Sequence, residues 1–267
     1  MALTDIVEAG PETHRTGFVT IVREVAASGI AAALAGLIAG GVGGRLAMRV
    51  SALLNSSVIG ARTENGNRIG SITADGTLGL LIFGGLLTGA VAAVAWVAVR
   101  PWLPDRAAWR YPLAALTAVG LVGFFVIESD NLDFLIVGPA WAHVAMFTAI
   151  VAGAGALTAW FDRHLVARWR ESRRFTIVAI VVGAQGVLLA LPALGAFFSR
   201  DFCFCKVPPR PAGTLLIVVL ALTAATWIAR MGGREIPARL RDAGGVATAL
   251  AVALGAIHLG GQIAAIV

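Results

Sequence analysis

The chain has 267 residues, of which 58% are apolar and 13% charged, against about 25% charged in a soluble globular domain. With 32 glycines as well, that composition excludes a soluble domain and implies an integral membrane protein. The net charge of +6 is almost wholly arginine, Lys206 being the single lysine, and it must be divided between the two sides of a membrane before it says anything about partners.

Residues 1–25 carry Asp5, Glu8 and Glu12 and no basic cluster, so they lack the charged start of a signal peptide. They read as a cytoplasmic or interfacial segment, with an amphipathic stretch from about Phe18 to Ala27 at the membrane surface. The rest, 26–267, reads as one transmembrane helical domain. A spanning helix takes roughly 20 apolar residues, and seven segments qualify: approximately 26–48, 78–99, 112–128, 134 or 139–161, 175–198, 213–229 and 246–267. Six helices and one re-entrant segment is the alternative. The connections are too short for a soluble domain, so any site lies between helices or in short loops.

Helix one carries Gly36, Gly40 and Gly44 at four-residue spacing, a strip that lets another helix backbone approach closely. The strip serves either packing within the bundle or contact with a second copy. Between helices one and two, Asn65-Gly66 favours a type I′ turn because both positions tolerate positive φ. A short hairpin over residues 61–73 is expected there. If the N-terminus is cytoplasmic, 14 basic residues fall on that side and 7 on the other, which favours N-in and C-out. Trp102, Trp109, Tyr111 and Trp160 then form an interfacial belt. The predicted fold is all-α: a polytopic bundle of about seven transmembrane helices, N-in/C-out, with a short outer hairpin loop.

Several chemistries lose motif support. A lysine-bearing P-loop, an HExxH pair, a GxSxG elbow and a complete GxGxxG are all absent, and Lys206 lies in a loop, away from any retinal-type Schiff base. One positive feature is electrostatic. Arg45 and Arg49, at i and i+4 near the outer end of helix one, share a face, and Glu128, Asp130 and Asp133 follow helix three on the same side. Arginines near hydrocarbon depth need partners or a route to water. They form either a buried ion-pair network or an outer anion or headgroup site.

The run Thr63-Glu-Asn-Gly-Asn, the Gly-Ser-Ile-Thr-x-x-Gly-Thr stretch ending at Thr77, and Glu128-Ser-Asp-Asn-x-Asp-Phe-x-x-x-Gly-Pro139 resemble those of multi-pass membrane proteins of high-GC bacteria. The resemblance covers roughly residues 36–150. It implies provenance in a bacterial cytoplasmic membrane and no particular activity.

Cys203 and Cys205 fall on the predicted outer side, where disulfides persist. Three states compete there: a small-ring disulfide, two free thiols, or two soft ligands for a thiophilic ion. His143 and His258 lie inside helices four and seven. If helix four starts at Phe134 they share a depth, as bis-histidine ligation of haem b requires; if it starts at Pro139 the levels diverge. Intramembrane histidines also serve as hydrogen-bonding links between helices, as do Gln185 and Gln262. No metal and no cofactor is predicted, haem b being the alternative. The leading functional expectation is a non-enzymatic accessory or scaffold subunit that binds membrane lipids and other membrane subunits or itself, with no nucleic acid. A transporter or channel-like protein for a small or lipidic solute comes next, and a haem- or thiol-based redox protein third.

Overall fold

The computed structural model describes residues 11–63, 66, 68–71, 73–131, 133–136, 138–169, 177, 192, 194–200 and 207–267. Among them there is no β-strand, and six helices are long and apolar enough to cross a membrane: 17–54, 74–102, 107–125, 140–165, 210–231 and 238–266. Six of the seven expected segments therefore have a counterpart. The remaining one, 175–198, lies almost entirely outside the described residues, as do Gln185, Cys203 and Cys205.

The first crossing is built from α1 (Pro11–Gly36), a π-helical turn (Leu37–Gly43) and α2 (Gly44–Leu54). Helix α1 is continuous through the stretch expected to lie at the surface. Ile21, Ala26 and Ala27 on that stretch are buried, so it packs as part of the bundle. The second crossing has the same construction: α3 (Ala74–Gly79), a π-helical turn (Leu80–Leu87) and α4 (Thr88–Val99). A π-helical turn inserts an extra residue and loosens the local hydrogen-bond ladder. Both turns fall on glycine pairs, Gly40-Gly41 and Gly84-Gly85.

The two turns face each other. A Cβ on Gly36 would overlap the Gly85 carbonyl, one on Gly40 the Gly84 carbonyl, and one on Gly89 would come within 2.9 Å of Ala32 O. Only glycine admits this approach, in which the two backbones touch with no side chain between them. The Gly36–Gly40–Gly44 strip is thus packed against the second crossing of the same chain.

The third crossing is α5 (Ala107–Val122), ending in a 3-10 turn at Gly123–Phe125. After the short α6 (Asp133–Ile136) comes α7 (Ala140–Trp169). Helix α7 begins immediately after Pro139, whose carbonyl accepts from Ala142 N at 2.9 Å and so caps the first turn. The last two crossings are α8 (Arg210–Met231) and α9 (Ala238–Ile266). Helix α1 packs on α4 and α7, α5 on α7 and α9, and α8 on α9. Phe124, Phe125 and Phe197 interlock by tilted and edge-to-face contacts, with centroids 4.4 to 5.6 Å apart, where α5 ends.

The loop between the first two crossings narrows to one antiparallel bridge, Arg62 with Arg68. Gly60 N donates to Ile69 O and Ile69 N to Ala61 O, each at 2.9 Å, and Gly66, at φ +76°, closes the turn by donating to Thr63 O at 2.8 Å. Ile69 is buried against Ala52 and Val58, which pins the loop to the end of α2.

Candidate functional site: a cavity between four crossings

A cavity of about 1020 Å³ lies between the first four crossings. It stands at the upper end of the roughly 300–1,000 Å³ of small-molecule sites. At the loop end its walls carry Arg62, Arg68, Asp75, Asn131, Asp133 and His143. Midway they carry Phe83, Thr88, Phe125 and Phe147, and at the far end Trp96, Val99, Ala114 and Thr158. From Asp75 to Val99 the lining follows one helical stack, a rise of about 35 Å at roughly 1.5 Å per residue. The hydrocarbon of a bilayer is about 30 Å thick, a length comparable to that of the lining. Gly36, Gly40, Gly44, Gly79, Gly84 and Gly155 all border the cavity, and at Gly36, Gly40 and Gly155 the place of a Cβ is taken by a carbonyl of the neighbouring crossing.

Polar groups are few along the middle of the wall, and the threonines there are turned to their own helices. Thr88 Oγ1 donates to Gly84 O and Thr158 Oγ1 to Ala154 O, the latter at 2.8 Å. The lumen is therefore apolar along its length and polar at the mouth.

Behind Trp96 the floor is held by a buried ionic cluster. Asp162, 1% exposed, accepts from Ser28 Oγ at 2.8 Å and pairs with Arg100 Nε at 2.9 Å. Arg110 Nη2 stands 3.9 Å from the same carboxylate. Arg110 Nη1 pairs with the exposed Asp105 at 3.1 Å, and its guanidinium carbon lies 5.8 Å from the Trp96 ring centroid. Arg100 Nη1 also donates to Ser28 Oγ at 3.2 Å. One carboxylate thus joins α1, the end of the second crossing, α5 and α7, the four walls of the cavity. Arg100 and Arg110 fall among the basic residues that the sequence places on the cytoplasmic side, and no motif marks Asp162. Its one usable signal is a carboxylate directly beyond an apolar run, since such a group needs a partner when buried.

At the loop end, His143 lines the cavity from the first turn of α7. Its Nε2 is 2.7 Å from Ser51 Oγ, and its Nδ1 is 3.2 Å from Pro139 O. Ser51 Oγ is also 2.9 Å from Ala47 O, and a hydroxyl has one proton to give, so the direction of its bond to Nε2 follows the ring's tautomer. The ring links α2 to α7, with both nitrogens engaged. His258 sits apart from this pair. Its ring stands edge-on to Phe124 at 5.4 Å, and its buried Nε2 has no hydrogen-bond partner. With α7 starting at Ala140, the two histidines fall at different depths. Gln262 Oε1 accepts from Ser129 N at 3.0 Å, a link between α9 and the loop after α5.

Arg49 Nη1 donates to Gly70 O at 2.8 Å, holding the hairpin loop. Arg45 Nη1 reaches Met48 Sδ at 3.8 Å, while its Nε and Nη2 are buried without a hydrogen-bond partner. Asp133 borders the cavity, Asp130 is exposed and Glu128 is half-buried. Trp109 and Trp160 are exposed, as the belt requires, but Trp102 Nε1 donates to Thr223 Oγ1 at 3.0 Å and so ties the second crossing to α8. No group of three metal-ligating side chains occurs among the described residues.

Comparison with known protein families, curated proteins and solved structures finds no match to this chain.

Proposed function

We propose that the protein is a non-enzymatic membrane component that binds a lipidic amphiphile in the cavity and passes it along the membrane depth. The observation that carries this reading is the cavity itself: apolar along its length, charged at its mouth, and closed at the far end by Trp96 and the Asp162 cluster. An apolar lumen favours chains over ions or sugars, because a charged solute would lose its hydration shell there without replacement. The Gly36–Gly40–Gly44 strip packs against the second crossing of the same chain, and the cavity is what supports the lipidic-solute class over the scaffold class. In the N-in orientation favoured by the basic residues, within a bacterial cytoplasmic membrane, the mouth faces outward.

The test is purification in a mild detergent followed by native mass spectrometry. Wild-type protein should carry co-purifying lipid, and Ala92→Trp, which fills the lumen, should release it without lowering the melting temperature. A cysteine placed at the exposed Ser71 should react with an impermeant maleimide on intact cells. Lipid-free wild-type protein, or equal lipid on the two proteins, refutes the binding reading.

A further inference from the structure

Two of the three guanidinium nitrogens of Arg45 are shut away from solvent without a hydrogen-bond partner. A buried guanidinium is costly unless something accepts from it. The third nitrogen meets only the Met48 thioether, a weak acceptor. Gly44 and Met48, on either side of Arg45 in sequence, both line the cavity. Asp75 is also on the lining, yet no ion pair joins it to Arg45. Arg49, one turn on, is satisfied by the Gly70 carbonyl. Among the described residues Arg45 is thus a guanidinium with buried, unused donors, and the side chain its Nη1 reaches, Met48, lines the lumen and has three rotatable bonds.

The charges at the mouth say what it would accept. Arg62 and Arg68 are matched there by Asp75 and Asp133, so Arg45 tips the balance positive. A guanidinium offers parallel N–H groups that fit a carboxylate or phosphate in bidentate fashion. We propose that Arg45 is the anchor for the head of the bound amphiphile, which carries one anionic phosphate or carboxylate. The head enters beneath the Arg62–Arg68 turn, Met48 swings aside, and the tail lies along Phe83, Phe125 and Phe147. This inference rests on the lipid-binding reading above and adds the chemistry of the head.

The experiment titrates the full-length protein in detergent with three probes of equal chain length, read by native mass spectrometry: lysophosphatidylglycerol, lysophosphatidylcholine and monoacylglycerol. Wild type should bind the anionic probe about tenfold more tightly than the neutral one, the size of one charge-assisted hydrogen bond. Arg45→Gln should bring the anionic probe to the neutral level, and Arg45→Lys should keep part of the preference. Met48→Ala, which removes the cover and leaves the arginine, should strengthen anionic binding and serves where Arg45→Gln folds poorly. An unchanged headgroup preference in Arg45→Gln, or in Met48→Ala where that variant has to stand in, overturns the inference. So does displacement of the probe by inorganic phosphate, which would make the tail irrelevant. If Ala92→Trp removes all three probes while Arg45→Gln alters nothing, the cavity reading survives and this one falls. If Ala92→Trp retains all three, the cavity reading itself falls.

Discussion

Replacing Asp162 by asparagine measures what holds the floor of the cavity. Asparagine has nearly the shape of aspartate, and its carbonyl oxygen can still accept from Ser28, now 2.8 Å away. It offers Arg100, at 2.9 Å, and Arg110, at 3.9 Å, no opposing charge. Breaking a buried pair by removing one partner costs about 3–5 kcal/mol, because the other charge stays buried. Two features place this case at the lower end. The Arg100 side chain is 21% exposed, and Arg110 keeps the exposed Asp105, a pairing worth at most about 1 kcal/mol. A loss of about 3 kcal/mol is expected, which at roughly 2–4 °C per kcal/mol lowers the melting temperature by about 10 °C. The assay is thermal unfolding in a mild detergent, run as a double-mutant cycle with Arg110→Met. In the Asp162→Asn background, Arg110→Met should cost less than it does in wild type, since it removes a cation already stranded. An Asp162→Asn protein that melts with wild type, or strictly additive variants, would show that the cluster holds nothing.

Gly40→Leu should lower thermal stability by roughly 1–3 kcal/mol or more, the cost of overpacking, because its Cβ already overlaps the Gly84 carbonyl. Its mass in detergent should stay that of wild type, and a change of assembly state at unchanged stability would contradict the internal placement of the strip. Ser51→Ala takes away the hydroxyl bonded to His143 Nε2 and should cost about 1–3 kcal/mol, the penalty for a buried polar atom left unsatisfied. Adding His143→Phe to it should cost little further, as two halves of one interaction would; fully additive melting shifts would disprove the pairing.

How far the fold can be read from the residues depends on which forces set each part. Six crossings are legible because each is a long apolar run bounded by charge, as in Ala74–Trp102, which ends at Arg100. The glycine strip of the first crossing is legible as a packing surface, but its complement is not. Gly84, Gly85 and Gly89 do not repeat at a single helical spacing, and they come onto one face through the π-helical turn at Leu80–Leu87. The hairpin signal at Asn65-Gly66 does mark a reversal. It closes on one bridge because the chain on either side is held by Ile69 in the core and by Arg49 on Gly70. The Asp162 cluster is the least legible part. Arg100 and Arg110 have the same local sequence setting whether they face water or a carboxylate. Only the association of four crossings brings Ser28 to residues 100, 110 and 162. The mouth of the cavity is partly visible in the sequence, through Asp133 and His143, whereas its walls are hidden because their small and apolar residues read like any helix-packing surface.

The two facing π-helical turns have a consequence for electrical tightness. Where they meet, the lumen is walled by glycine backbone and by phenyl rings such as Phe83 and Phe147. Beyond it, the one carboxylate at the floor is already engaged by two guanidiniums. Along this middle stretch a sodium ion or a chloride would surrender its water and meet mainly phenyl rings and glycine backbone, the charged groups lying at the mouth. Under the lipidic reading, a bilayer holding the purified protein should show only background conductance. A lumen lined in this way suits hydrocarbon better than a hydrated ion.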